Sequence, residues 1–167
     1  MNPIKEWHEI VRSGNTEKLS TLIDQDCIFY SPVVFTPQEG KEITLKYLSA
    51  AALVFGDESF TYTKEIINEN NACLEFELEL NNIKINGVDL ISWNKENKII
   101  EFRVLIRPLK GVQLIHELMG GTLEKVLSSY FFHSSIISAS SASKDFSSSF
   151  FLALFLLNKV QAIPPKK

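Results

Sequence analysis

The chain has 167 residues, a formal net charge of -3 and charges of both signs well mixed along it. That length suits one folded domain with appendages, and the lack of a basic stripe argues against nucleic acid as a partner. Two cysteines, Cys27 and Cys73, lie far apart without a CxxC spacing, as reduced thiols of a cytoplasmic protein would; one disulfide is the alternative.

The start, MNPIKEWHEI, has no basic stretch leading into an apolar run, so no signal peptide is expected. Asn2 and Pro3 read as a helix cap followed by proline at the first helical position. Ile4, Trp7, Ile10 and Val11 recur at helical spacing, and Gly14 closes the helix. Asn15 opens a second short helix with Leu19, Leu22 and Ile23 apolar. Cys27 to Ser31 is expected to be a short strand stopped by Pro32. Thr36, Pro37, Gln38 and Glu39 have the form of a capping box, which predicts one helical turn ended by Gly40. The next helix spans about 41–55, with Ile43, Tyr47, Leu48, Ala51, Ala52 and Phe55 as its apolar stripe.

From Ser59 the apolar period changes to two. The runs FTYTKEII, CLEFELEL, IKINGVDLISW and IIEFRVLIR predict four strands joined by the turn-like breaks NENN, NN and NKENK. Short breaks favour an antiparallel meander, so the fold class is α+β, with helices on one face of a curved sheet. After Pro108, 111–119 and 122–130 read as two short helices separated by Gly120-Gly121, with Thr122 capping the second. The folded domain is expected to occupy 1–127.

Strand parity sorts the residues by face. In CLEFELEL the leucines and Phe76 point one way, and Glu75, Glu77 and Glu79 point to solvent. In the next strand Ile83, Ile85, Gly87, Asp89, Ile91 and Trp93 share a face, which sets a carboxylate among apolar side chains. Such a group must be hydrogen-bonded, paired or protonated, and desolvation raises its pKa. That suits a general acid or a neutral donor; a structural Asp, or a bulge at Gly87 that turns it outward, are the alternatives. Arg103 and Arg107 on the last strand are expected to meet Glu75, Glu77 or Glu79 across the sheet. His8, His116 and His133 have no metal-ligand spacing, and His8 reads as a surface residue.

This order of elements resembles the nuclear-transport-factor-two-like superfamily, and within it the SnoaL-like proteins of unassigned activity. The residues that carry the resemblance are RSGNTEKLSTLI, CIFYSP, the SPVV-x-TPQ-x-GK stretch leading into GKEITLKYL, and NGVDLISWNKENKIIEFRV with IRPL. It covers roughly 1–127. It implies a cone-shaped α+β roll whose curved antiparallel sheet wraps around the N-terminal helices and encloses an apolar pocket. Trp7, Phe29, Val33, Val34, Phe35, Tyr47, Ile91, Trp93 and Phe102 would line that pocket. Aligned with the ketosteroid isomerases of the superfamily, Asp89 matches the oxyanion-hole Asp. Ser31 stands at the position of the catalytic base, and Trp7 at that of the oxyanion tyrosine. A serine is not competent as a base there, and the Asp–Arg–Asp set of the epoxide hydrolases is incomplete.

Two functions are therefore expected. One is a cofactor-independent acid–base enzyme of isomerase, cyclase, lyase or hydrolase type, with Asp89 moving the proton and Trp7, Tyr47 or Tyr30 positioning a small hydrophobic molecule. The other is a non-catalytic ligand-binding or dimerisation module. The resemblance implies a homodimer in either case, and no metal or cofactor. Residues 128–167 form a serine-rich extension outside the resemblance. Its apolar run, Phe150 to Leu157, is far short of the roughly 20 residues of a membrane span; a disordered tail, or an apolar helix docked on the domain or its dimer partner, is expected, with peripheral membrane contact as the alternative.

Overall fold

The structure is a computed structural model that describes residues 2–56 and 59–137, with 124–137 described as backbone only. The rest of the serine-rich extension, with the run Phe150 to Leu157, lies outside the described residues. The chain divides into two compact units, Met1–Val126 and Leu127–Lys167, and the sheet and candidate site belong to the first. No helix among the described residues is long and apolar enough to cross a membrane.

Helix α1, Pro3–Ser13, begins as its sequence demands. The Asn2 side chain accepts a hydrogen bond from the Ile4 N–H at 2.9 Å, and Pro3 occupies the first helical position. Gly14 closes it in the left-handed conformation, φ 66°, donating its N–H to the Ile10 carbonyl. Ile4, Trp7 and Ile10 are buried on one side. A 3-10 turn, Thr16–Lys18, runs into the single-turn helix α2, Leu19–Leu22, which buries both its leucines.

Strand β1, Ile23–Tyr30, starts four residues earlier than expected, so Ile23 belongs to the sheet rather than to α2. The capping-box reading of Thr36–Glu39 is overturned. Gln38–Glu39 form a short strand, β2, antiparallel to β1, and Gly40 N–H donates to the Cys27 carbonyl. Backbone bonds to β1 outcompete a single helical turn, which would satisfy few of its own groups. Gly40, at φ 100°, turns the chain into helix α3, Lys41–Phe55. The most buried residues of α3 are Thr44, Leu48 and Ala50; of the expected stripe Leu48 is buried and the other five are half-buried. Thr44 satisfies its hydroxyl on the Gly40 carbonyl at 2.9 Å.

The meander forms as the alternation predicts: β3 Thr61–Ile67, β4 Asn71–Leu80, β5 Ile83–Trp93 and β6 Ile99–Arg107. Asn81 and Asn82 both have positive φ in the two-residue turn between β4 and β5, the arrangement that matches strand twist in tight hairpins. The six-stranded sheet has the order β2-β1-β6-β5-β4-β3. Its β1–β6 pair is parallel and the other pairs are antiparallel, so the sheet is mixed rather than wholly antiparallel.

Helix α4, Leu109–Ile137, is continuous where two helices were expected. Thr122 does not cap a new helix; its hydroxyl donates to the Leu118 carbonyl one turn back, at 2.8 Å. Near its start Gly111 lies so close to β5 that a Cβ there would sit 2.9 Å from Ile85.

The inner face of the sheet carries two apolar clusters. The first joins α1, α2 and α3 to β1, β4, β5 and β6 and contains Ile4, Trp7, Phe29, Ile91, Trp93 and Phe102. The second centres on Phe76, Leu78, Ile85 and Ile115. Tyr62 and Val104 pack against both.

Candidate functional site

Asp89 sits at the seam of the two clusters. The β4–β5 and β5–β6 registers run through Gly87 unbroken, so no bulge turns the strand there. Parity therefore sends Asp89 inward, between Leu74 of β4 and Val104 of β6, and only 5% of its surface is exposed. Gly87, one inward position before it, has no room for a side chain. A Cβ would fall 2.2 Å from the Phe76 ring and 2.7 Å from the Leu105 carbonyl.

The carboxylate is not left alone. The Tyr62 hydroxyl, reaching across from β3, donates to Asp89 Oδ2 at 2.7 Å. The indole N–H of Trp7 on α1 donates to the same hydroxyl oxygen at 2.8 Å. Trp7, Tyr62 and Asp89 thus form a chain from three separate elements. Asp89 Oδ1 has no hydrogen-bond partner among the described residues. Burial lifts the Asp89 pKa from the usual 3.8 to about 7, against the opposing pull of the Tyr62 bond. Tyr62 is pushed well above its ordinary value by burial and by the neighbouring carboxylate. Near neutral pH Asp89 can hold or release a proton, which is what a general acid–base requires.

Aromatic rings surround this chain. Trp7 packs on Phe102 at 4.9 Å, Phe29 stacks on Tyr47 at 4.9 Å, and Phe29 faces Phe102 at 6.2 Å. Phe60 meets Tyr62 edge-on at 5.1 Å. Of the expected lining residues, Trp7, Phe29, Ile91, Trp93 and Phe102 are buried in the first cluster, and Tyr47 packs against it.

The loop after β1 is built differently. Ser31 Oγ accepts hydrogen bonds from the N–H groups of Val33 and Val34, at 3.2 and 3.3 Å. Its oxygen is engaged in shaping the turn. Val33 and Val34 are half-buried, whereas Phe35 is fully exposed and lines nothing in the interior. Tyr30 lies under the guanidinium of Arg103, 3.9 Å from the ring centre, outside the aromatic set around Asp89.

Other expectations change in detail. Arg103 pairs with Glu101 of its own strand at 3.3 Å. Arg107 reaches Glu75 only through Asn86, which accepts from Arg107 Nε at 2.8 Å and donates to Glu75 at 2.9 Å. Strand β5 lies between β4 and β6, so direct pairs with the glutamates are out of reach. His8 is not a plain surface residue: its ring lies 5.3 Å from that of Tyr62, and its Nε2 is buried, 3.3 Å from Glu65 Oε1, without forming a hydrogen bond. Cys27 and Cys73 are not bridged, and burial raises the Cys27 thiol to about 11. No group of three or more His, Cys, Asp or Glu among the described residues could hold a metal ion.

Tyr62 is the site residue that sequence reasoning missed. Its signal was present: an inward-facing tyrosine in a run that alternates. Its pairing with Phe76, and the pairing of Phe76 with Gly87, place it two strands from Asp89 and one inward step off its row.

No protein-family model and no curated protein matches the chain by sequence. Solved structures do match. A steroid delta-isomerase from Pseudomonas aeruginosa superposes with a TM-score of 0.67 at 26% identity, covering 77% of this chain and 91% of that one. An uncharacterised protein conserved in bacteria, with a cystatin-like fold, from Silicibacter pomeroyi gives 0.69 at 26% identity over 79% and 90%. An NTF2-like protein of unknown function from Mesorhizobium loti gives 0.56 at 14% identity over 64% and 88%, a likeness of fold alone. Helices packed on the inner face of a curved six-stranded sheet, together with these neighbours, give the chain the fold of the nuclear-transport-factor-two-like superfamily, to which SnoaL-like proteins and ketosteroid isomerases belong.

Proposed function

We propose that this protein binds a small hydrophobic molecule among the aromatic residues on the inner face of its sheet and acts on it as a cofactor-independent acid–base enzyme. The reaction is of isomerase, cyclase, lyase or hydrolase type, and Asp89 carries the proton. The observation that supports this is a buried carboxyl poised at about pH 7 with one oxygen free of partners. The steroid delta-isomerase at 26% identity supports the same class of chemistry. The first assay is double-bond migration in a β,γ-unsaturated steroid ketone, followed by the absorbance of the conjugated product. A panel of smaller apolar ketones and epoxides comes second. Activity abolished in Asp89→Asn, with the far-ultraviolet circular dichroism unchanged, is the expected result. Full activity in that variant refutes the role.

A second reading is a non-catalytic binding or dimerisation module, and the engaged oxygen of Ser31 favours it, because no base stands at the end of β1. The exposed side chains Ile66 and Leu105 on the outer face of the sheet support a homodimer in either reading. Analytical ultracentrifugation of Leu105→Glu tests it: a dimer through this face becomes a monomer. The unbridged thiols are in keeping with a cytoplasmic location.

A further inference from the structure

The hydrogen-bond chain has a direction. Tryptophan can only donate, so the Trp7 N–H must use a lone pair of the Tyr62 oxygen. Among the described residues the Tyr62 proton then has one acceptor within reach, Asp89 Oδ2. The reverse arrangement, with a protonated Asp89 donating to Tyr62, would leave a buried hydroxyl proton without an acceptor among the described residues.

We infer that Trp7 and Tyr62 are positioning residues that fix the proton polarity of the site, holding Asp89 Oδ2 as a permanent acceptor and leaving Oδ1 as the only oxygen at which a proton is gained or lost. This rests on the acid–base reading of Asp89 and adds the atom and the direction. When Asp89 is protonated, the proton stands on Oδ1 and is given up from there. When it is ionised, Oδ1 is the atom that takes a proton from a ligand. The matching ligand class is an uncharged apolar molecule with an acidic C–H or a hydroxyl turned to Oδ1. A carboxylate or phosphate ligand would meet like charge in a desolvated site.

The surroundings keep this polarity from being overridden. Asp89 faces Leu74 on β4 and Val104 on β6, with Gly87 and Ile91 as its inward neighbours on β5. The titratable groups beyond the chain are His8 of α1, against the Tyr62 ring, and Glu65 of β3, beside His8. Among the described residues only Tyr62 acts on the Asp89 carboxyl beyond burial itself.

The test is a carbon-13 NMR titration of the Asp89 carboxyl in the full chain, in the wild type, in Tyr62→Phe and in Trp7→Phe. Tyr62→Phe removes a bond to the charged form, so the midpoint rises. Trp7→Phe keeps the tyrosine but frees it to accept from a protonated Asp89, so the midpoint rises there too, by about half a unit or more. An unmoved midpoint in either variant overturns the inference; a role for Trp7 in packing alone would lower the melting temperature and leave the midpoint in place. Should Trp7→Phe fail to fold, the wild type decides. The Trp7 indole proton must then titrate with the Asp89 midpoint, and an indole signal indifferent to pH overturns the inference. An Asp89 midpoint in the ordinary carboxylate range sinks the acid–base reading itself, and the coupling of the indole proton still judges the polarity separately.

Discussion

Two parts of this molecule, the inner face of β5 and the loop after β1, were expected to belong to one pocket, and they use their polar groups in opposite ways. On the inner face of β5, Asp89 is kept from solvent and held by a tyrosine that is itself held by a tryptophan. In the loop after β1, Ser31 spends its oxygen on two backbone N–H groups, and Phe35 stands in water. The first arrangement stores an electrostatic cost and makes a proton available. The second spends the hydroxyl oxygen on holding the turn. Whether a side chain can do chemistry depends on what else claims its atoms.

The largest effect that would sharpen this contrast is a dependence of stability on pH traceable to Asp89. Its folded pKa is raised, so the folded state binds more protons than the unfolded state between about pH 3.8 and 7. Stability is therefore highest below that window, falls as pH rises through it, and is level above it. The loss amounts to on the order of 4 kcal/mol. Urea unfolding of the wild type against Asp89→Asn reads it directly, because the variant lacks this slope. Equal slopes would erase the difference between the two regions.

Next in size is Gly87→Ala. The new methyl group meets the Phe76 ring and a backbone carbonyl, and about 2–3 kcal/mol of stability is lost at every pH. Chemical unfolding at two pH values separates this steric loss from the Asp89 effect. Ser31→Ala should cost about 1 kcal/mol, for the turn alone, with no change in the Asp89 midpoint. An effect on that midpoint would break the comparison by tying the loop to the site. Smallest is Phe35→Ser, within about 0.5 kcal/mol in a thermal melt, since the ring touches no interior.

What was legible in the sequence was local. The Asn2 cap, the Gly14 stop and the period-two runs each carry their own instruction within a few residues, and the structure follows them. Asp89 could be placed on the inner face because parity needs no partner strand. The failures share a cause. Thr36–Glu39 has the letters of a capping box, yet β1 offers Gln38 and Glu39 better backbone partners. Gly120-Gly121 looks like a break, and the helix passes through it. The Tyr62 bond depends on a register between strands that no single stretch encodes. Phe35 was placed on the pocket wall by the resemblance, whereas the structure leaves its ring fully exposed beyond the turn that Ser31 shapes.

The parallel seam between β1 and β6 has a consequence for the order of assembly. It joins residues more than seventy positions apart, Ile23 with Ile99 and Tyr30 with Arg103. The β4–β5 hairpin closes across two asparagines, and the meander from β3 to β6 closes across similarly short turns. Loop-closure entropy makes the long-range seam the slower event. A chain that has formed its meander but not yet docked α1 and β1 holds Asp89 on an open sheet, in water, as an ordinary carboxylate. The burial that raises the Asp89 pKa is then among the last features to form as the chain folds.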